Sequence, residues 1–173
     1  FIMKYAIVFP GQGSQSLGML SDLSDNFPIV KEVFTEASDA LGFDLWALTQ
    51  EDQEALNQTQ NTQPAMLAAG YATYRALTSE TELSPICMAG HSLGEYTALV
   101  ASGSLGFTDG IKLVRTRAEL MQSAVPAGVG AMAAILGLED EVVVKVCADY
   151  TGEGIVEAVN FNSNGQVVIA GDR

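Results

Sequence analysis

Five residues, Gly90-His91-Ser92-Leu93-Gly94, constrain this chain more than any others. An apolar run, Pro85 to Ala89, precedes them, and a helix-like run, Ser92 to Ala101, overlaps and follows them. Gly-x-Ser-x-Gly between a strand and a helix predicts a tight turn that holds the serine hydroxyl out of the backbone. Gly90 and Gly94 relieve crowding beside a turn that sharp. The helix that starts after Ser92 aims backbone N–H groups at any carbonyl the serine attacks, so the N–H of Leu93 is a natural oxyanion donor. A chain built around this turn is an α/β protein, with a parallel sheet feeding the elbow.

A serine nucleophile needs a base. The chain has one histidine, His91. Adjacent side chains diverge at a sharp turn, so His91 reads as structural. The base is then a carboxylate, a lysine, or a group outside these residues.

The other elements read as follows. Tyr5 to Phe9 is a buried strand closed by Pro10-Gly11. Helices are predicted over Pro28 to Leu41, Pro64 to Leu77 and Thr108 to Val125. The prolines open the first two; Thr108 or Asp109 caps the third, and Pro126 stops it. At Gly128-Val129-Gly130 the character changes. Ala131 to Leu136 reads as a strand, Glu139 to Tyr150 as a helix, and Ile155 to Phe161 and Gln166 to Ala170 as strands around the turn Asn162-Ser163-Asn164-Gly165. That β-α-β-β order is the first two-thirds of a ferredoxin-like unit. The expected division is therefore 1–126 and 127–173.

Three further positions carry chemistry. The loop Phe9 to Gln15 holds Gly11 and Gly13 at the carboxyl end of the first strand, where open α/β sheets place ligands. Either the N–H of Gln12 is a second oxyanion donor, or the loop is an ordinary glycine turn. Ser16 stands where a dinucleotide fingerprint needs its third glycine. Arg117 falls within the apolar half of a wheel formed by Ile111, Leu113, Val114, Ala118, Leu120, Met121, Ala124 and Val125. Lys112, Arg115 and Glu119 fall outside that half. Either Arg117 clamps a substrate carboxylate through two parallel hydrogen bonds, or it pairs with a core acid or snorkels to water. Gln63, at the expected helix start, could point into the same cleft. Asn160 and Asn162 alternate around Phe161, so both amides face one side, to bind a polar ligand or to cap the turn. Glu95 orients a partner or favours the helix start.

Composition excludes some classes. The net charge of −13, split as −8 over residues 1–126 and −5 over 127–173, argues against nucleic acid. Without a long uninterrupted apolar stretch, no membrane span is expected. No secretory signal pattern opens the chain, and Phe1-Ile2 before Met3 are either native or a cloning remnant. Cys87 and Cys147 lack a Cys-x-x-Cys pattern and read as two buried thiols in a reducing cytoplasm.

Taken in order, Phe9-Pro-Gly-Gln-Gly-Ser-Gln15, Gly90-His-Ser-Leu-Gly-Glu95, Arg117, Gly130-Ala-Met-Ala-Ala134 and Val159-Asn-Phe-Asn162 resemble the malonyl-CoA:acyl-carrier-protein transacylases of bacterial fatty-acid synthesis. The resemblance runs along nearly the whole chain. It implies a hydrolase-like α/β core with an inserted ferredoxin-like small subdomain, incomplete here. It implies Ser92 as the nucleophile that takes malonyl from coenzyme A, and the N–H groups of Gln12 and Leu93 as the oxyanion hole. It further implies Arg117 against the malonyl carboxylate, and Gln63, Asn160 and Asn162 along the cleft. Malonyl-CoA is then the substrate and acyl carrier protein the partner. No metal or tightly bound cofactor is implied, and a monomer is expected. The family's base is a histidine after the small domain, so it is expected beyond residue 173. Without the remaining strands and helices, the sheet is expected to show unpaired edges and an uncovered apolar face. Two rivals stand beside this reading: a serine hydrolase of esterase or patatin type, and a non-catalytic module that binds acyl-CoA or the carrier protein.

Overall fold

In the computed structural model, which describes residues 4–125 and 128–172, the chain divides into two units between Gln122 and Ser123. The first unit carries a parallel pair of strands, β1 (Ala6–Phe9) and β2 (Cys87–Gly90), in the register Ala6 to Cys87 through Phe9 to Gly90. Parallel strands need a long crossover. Here it contains α1 (Ser21–Asn26), α2 (Ile29–Leu41), α3 (Leu45–Glu51), α4 (Gln53–Asn57) and α5 (Thr59–Glu80). Two helices follow β2: α6 (Leu93–Ala101) and α7 (Phe107–Ala124). The register sets Phe9 beside Gly90, so the loop after β1 and the turn after β2 leave the same end of the sheet.

The core centres on α5. Its alanines Ala65, Ala68, Ala72 and Ala76 are buried and let α2 approach closely with Val30, Val33, Phe34 and Ala37. Leu45, Leu56, Leu93, Val100, Ile111 and Val114 complete it.

Several sequence expectations change. Helix α5 begins at Thr59, so Pro64 lies inside it instead of opening it. A proline there removes the N–H that the Gln60 carbonyl would accept. Arg115 supplies a replacement: its Nη1 donates to the Gln60 oxygen at 3.2 Å and to Asn61 Oδ1 at 2.8 Å. Its Nε donates to Glu119 at 2.6 Å. The wheel placed Arg115 on the outer face, yet it ties α7 to α5. Arg115→Ala should lower stability by about 2 kcal/mol, because hydrogen bonds from a charged donor to the half-buried Gln60 and the buried Asn61 are lost. Glu119→Ala removes only the exposed ion pair and should cost under about 1 kcal/mol. Urea denaturation distinguishes them, and equal losses would reject the role given to Arg115.

On α7 the expected apolar half is only partly covered. Ile111, Val114 and Ala118 are buried, whereas Leu113, Leu120 and Met121 are exposed. The helix packs through the narrow stripe 111–114–118. Thr108 bonds Glu36 Oε1 at 2.9 Å instead of capping the helix, and Pro126 lies outside the described residues. Helices α3 and α4 have clear caps: Asp44 accepts from the N–H of Ala47 and Asp52 from that of Ala55.

Apolar side chains on the sheet and just before β2 also stay open. Val8 is 72% exposed and Ile86 67%. Among the described residues β1 and β2 pair only with each other. Cys87, expected to be buried, is exposed on β2, and Cys147 is half-buried; both are free thiols.

The second unit has the strand-helix-strand-strand order read from sequence: β3 (Gly130–Leu136), α8 (Asp140–Ala148), β4 (Val156–Ser163) and β5 (Gln166–Asp172). The sheet is antiparallel, in the order β3-β5-β4. Strand β4 runs through Ser163, so the hairpin turn is Asn164-Gly165, with Gly165 at φ +72°. Among the described residues no helix is long and apolar enough to cross a membrane.

Candidate active site

The turn after β2 has the strained backbone that the glycine spacing predicts. Ser92 sits at φ +52°, ψ −110°, a region a side chain seldom occupies, and it forms the N-cap of α6. A Cβ at Gly90 would strike the carbonyl carbon and oxygen of Gly94. A Cβ at Gly94 would strike the Phe9 carbonyl oxygen and lie 2.9 Å from that of Pro10. The two glycines therefore let α6 start directly against the end of β1. The same closeness brings the loops together, because a Cβ at Gly11 would lie 2.9 Å from the His91 carbonyl oxygen.

Leu93 is the first residue of α6, and its N–H belongs to the unpaired first turn. Among the described residues neither that N–H nor the Gln12 N–H is matched with an acceptor. Gln12 is exposed, and its side-chain amide donates to Thr59 Oγ1 at 3.3 Å, which holds its loop against the start of α5. His91 is exposed, and its carbonyl accepts from the N–H of Gly94 at 2.9 Å.

Arg117 reaches the turn from α7. Its Nη2 donates to Ser92 Oγ at 2.9 Å and its Nη1 to Gln63 Oε1 at 2.7 Å. Its guanidinium carbon lies 5.4 Å from the centre of the Tyr96 ring. Among the described residues the ion pairs are Arg115–Glu119 and Lys145–Asp149, so Arg117 is in neither. Of the alternatives open in sequence, a core salt bridge for Arg117 is thus not what the structure contains. Gln63 is fully buried and bonds Arg117 instead of facing the cleft directly.

Asn160 and Asn162 lie on β4 of the second unit. Asn160 is half-buried and pairs with Val168; Asn162 is exposed. Irregularities between Ala158 and Asn160 and between Phe161 and Ser163 interrupt strict alternation, so the two-residue spacing does not by itself put both amides on one side.

Two contacts of Arg117 are not encoded by any local pattern. One is to the ring of Tyr96, which follows Ser92 by four residues on α6. The arginine-to-serine contact joins residues 25 apart, with no local signature.

A serine held in a strained strand-to-helix turn, with unpaired amides and a guanidinium beside it, is an acyl-transfer arrangement, and the chain belongs to the acyl transferase domain family, whose model matches residues 6–173. Among curated relatives, the malonyl CoA-acyl carrier protein transacylase of Haemophilus influenzae is 58% identical over 170 residues, which cover 97% of this chain and 54% of that protein. A solved acyl carrier protein S-malonyltransferase from Vibrio cholerae superposes with a TM-score of 0.94 at 57% identity, over 98% of this chain and 56% of that one. A complex titled as a type II PKS acyl-carrier protein with its malonyl-transacylase superposes with a TM-score of 0.95 at 53% identity, over 99% of this chain and 56% of the other. The chain thus spans about half the length of the curated relatives it matches.

Proposed function

We propose that the chain carries the nucleophile and the carboxylate clamp of a malonyl-CoA:acyl-carrier-protein transacylase. The observation that carries this reading is the 2.9 Å contact between Arg117 Nη2 and Ser92 Oγ. A malonyl group esterified to Ser92 has its free carboxylate one methylene beyond the ester carbonyl. A guanidinium already at hydrogen-bond distance from that oxygen is within reach of such a carboxylate, and a forked donor suits it.

The proposed chemistry is ping-pong. A histidine beyond residue 173 takes the proton from Ser92 Oγ. The oxygen attacks the thioester carbonyl of malonyl-CoA, and the N–H groups of Gln12 and Leu93 hold the oxyanion. The C–S bond breaks, coenzyme A leaves with the proton, and malonyl-Ser92 remains. The phosphopantetheine thiol of acyl carrier protein then attacks this ester, and Ser92 regains its proton. No metal or tightly bound cofactor has a role in these steps. Asn160 and Asn162 are proposed as a polar wall for the substrate, on a small ferredoxin-like subdomain that starts near residue 127 and is inserted in the larger α/β domain. The enzyme is proposed to be a cytoplasmic monomer, a setting that suits the free thiols Cys87 and Cys147. An acidic carrier protein would need a local basic patch on a chain of charge −13, with Lys4, Lys31, Arg75, Lys112 and Arg115 as the candidates.

Mass spectrometry tests the reading on a polypeptide that carries this sequence and has the relatives' full length. Malonyl-CoA should add one malonyl group, mapped to the Ser92 peptide and absent from Ser92→Ala. Addition of holo acyl carrier protein should move the group to its thiol. Release only as free malonate would favour a hydrolase, and binding without an adduct would favour a non-catalytic module.

A further inference from the structure

Helix α7 carries two arginines, two residues apart, that the fold treats differently. Arg115 is neutralised by Glu119 at 2.6 Å. Arg117 is anchored by neutral groups: the Gln63 amide, the Ser92 hydroxyl and the Tyr96 ring. Arg117 is half-buried, and a guanidinium partly withdrawn from water ordinarily takes a carboxylate partner. The position best placed to supply one is 63. Gln63 is fully buried, and its Oε1 lies 2.7 Å from Arg117 Nη1. Among the described residues its Nε2 donates to the weakly accepting Met121 sulfur, at 3.5 Å. A glutamate has the same length and shape, and would place an anion on that spot.

We propose that Gln63 is a positioning residue that fixes the Arg117 rotamer without neutralising it, and thereby sets the enzyme's preference for acyl groups bearing a free carboxylate. This rests on the clamp role given to Arg117 above. The amide holds one edge of the fork through a hydrogen bond, and the positive charge stays available to the substrate. Gln63 touches no substrate; it acts through Arg117.

The test uses Gln63→Glu, Gln63→Met and Arg117→Ala in the full-length polypeptide, with kcat and KM for acylation of Ser92 from malonyl-CoA and from acetyl-CoA. Gln63→Glu supplies an internal counter-ion, so the malonyl-to-acetyl ratio of kcat/KM should fall on the order of 100-fold, mostly through malonyl KM. Gln63→Met loses the anchor but leaves the charge uncompensated. Malonyl KM should rise on the order of tenfold while malonyl remains preferred. A merely structural glutamine would lower both substrates together in both variants, and that result overturns the proposal. If Gln63→Glu does not fold, the methionine variant decides: unchanged malonyl KM overturns the proposal, and a raised KM with preference retained supports it. Arg117→Ala separates the two layers. An intact preference in Arg117→Ala overturns the clamp and this proposal with it. Preference lost there but kept in Gln63→Glu overturns the proposal for Gln63 alone.

Discussion

Arg117→Ala is expected to cut malonyl loading of Ser92 by about 2–5 kcal/mol of transition-state binding, on the order of 30- to several-thousand-fold in rate. Acetyl loading should fall by less than about tenfold, since acetyl has no carboxylate to leave unpaired. The asymmetry follows from the anchors. In the ground state the guanidinium gives one hydrogen bond to Gln63 and one to Ser92 Oγ. A neutral acyl group gains nothing from it and must leave the charge without a counter-ion, whereas a malonyl carboxylate supplies one. Removing Arg117 also removes a donor from the Ser92 oxygen, and that part of the loss is common to both substrates. Stopped-flow release of coenzyme A from each thioester measures the two rates. Equal losses would reduce Arg117 to a partner of Ser92 with no part in choosing the acyl group.

The elbow was legible because its constraints are local. Two glycines around a serine, a strand before and a helix after, lead to a strained Ser92 backbone without long-range information. Arg117 was legible in part: the wheel marked it as unusual but left open what it met. The contact with Gln63 joins residues 54 apart, and no local pattern encodes it. The same limit applies to Arg115, whose role exists because Pro64 leaves a carbonyl of α5 without its N–H. Proline favours the first turn of a helix, and on that preference alone Pro64 marks a start. In the fold it lies inside α5, where Arg115 of α7 supplies the hydrogen bond that the Gln60 carbonyl lacks. The wheel also overstated how much of α7 is covered, since periodicity marks an apolar face but not the width that a neighbour occupies. The short helices α3 and α4 are absent from the elements expected above, although Asp44 and Asp52 each cap one through the N–H three residues ahead. Alternation puts Asn160 and Asn162 on one side only in a regular strand, and β4 is irregular on both sides of Asn160 and Phe161.

Gly90→Ala should be the most damaging single-methyl change near the site. The added carbon would meet the carbonyl of Gly94 and the N–H of Glu95, all backbone of the first turn of α6. No side chain can swing aside, so β2 and α6 must separate or the turn must open. Overpacking of this kind costs about 3 kcal/mol or more, and the displacement moves Ser92 and the Leu93 N–H off their common target. Malonyl loading should fall by at least about 100-fold in whatever fraction still folds, since misplacement by about 1 Å has that cost. Gly13→Ala makes the comparison. Gly13 has φ +106° but nothing within 4 Å of an added Cβ, so it pays backbone strain alone, about 1–2 kcal/mol, without a collision. Thermal melts and adduct formation on both variants measure the difference. If Gly90→Ala melts and loads no worse than Gly13→Ala, close backbone approach is not what holds Ser92 in its turn, and the strain at Ser92 must be maintained by the helix alone.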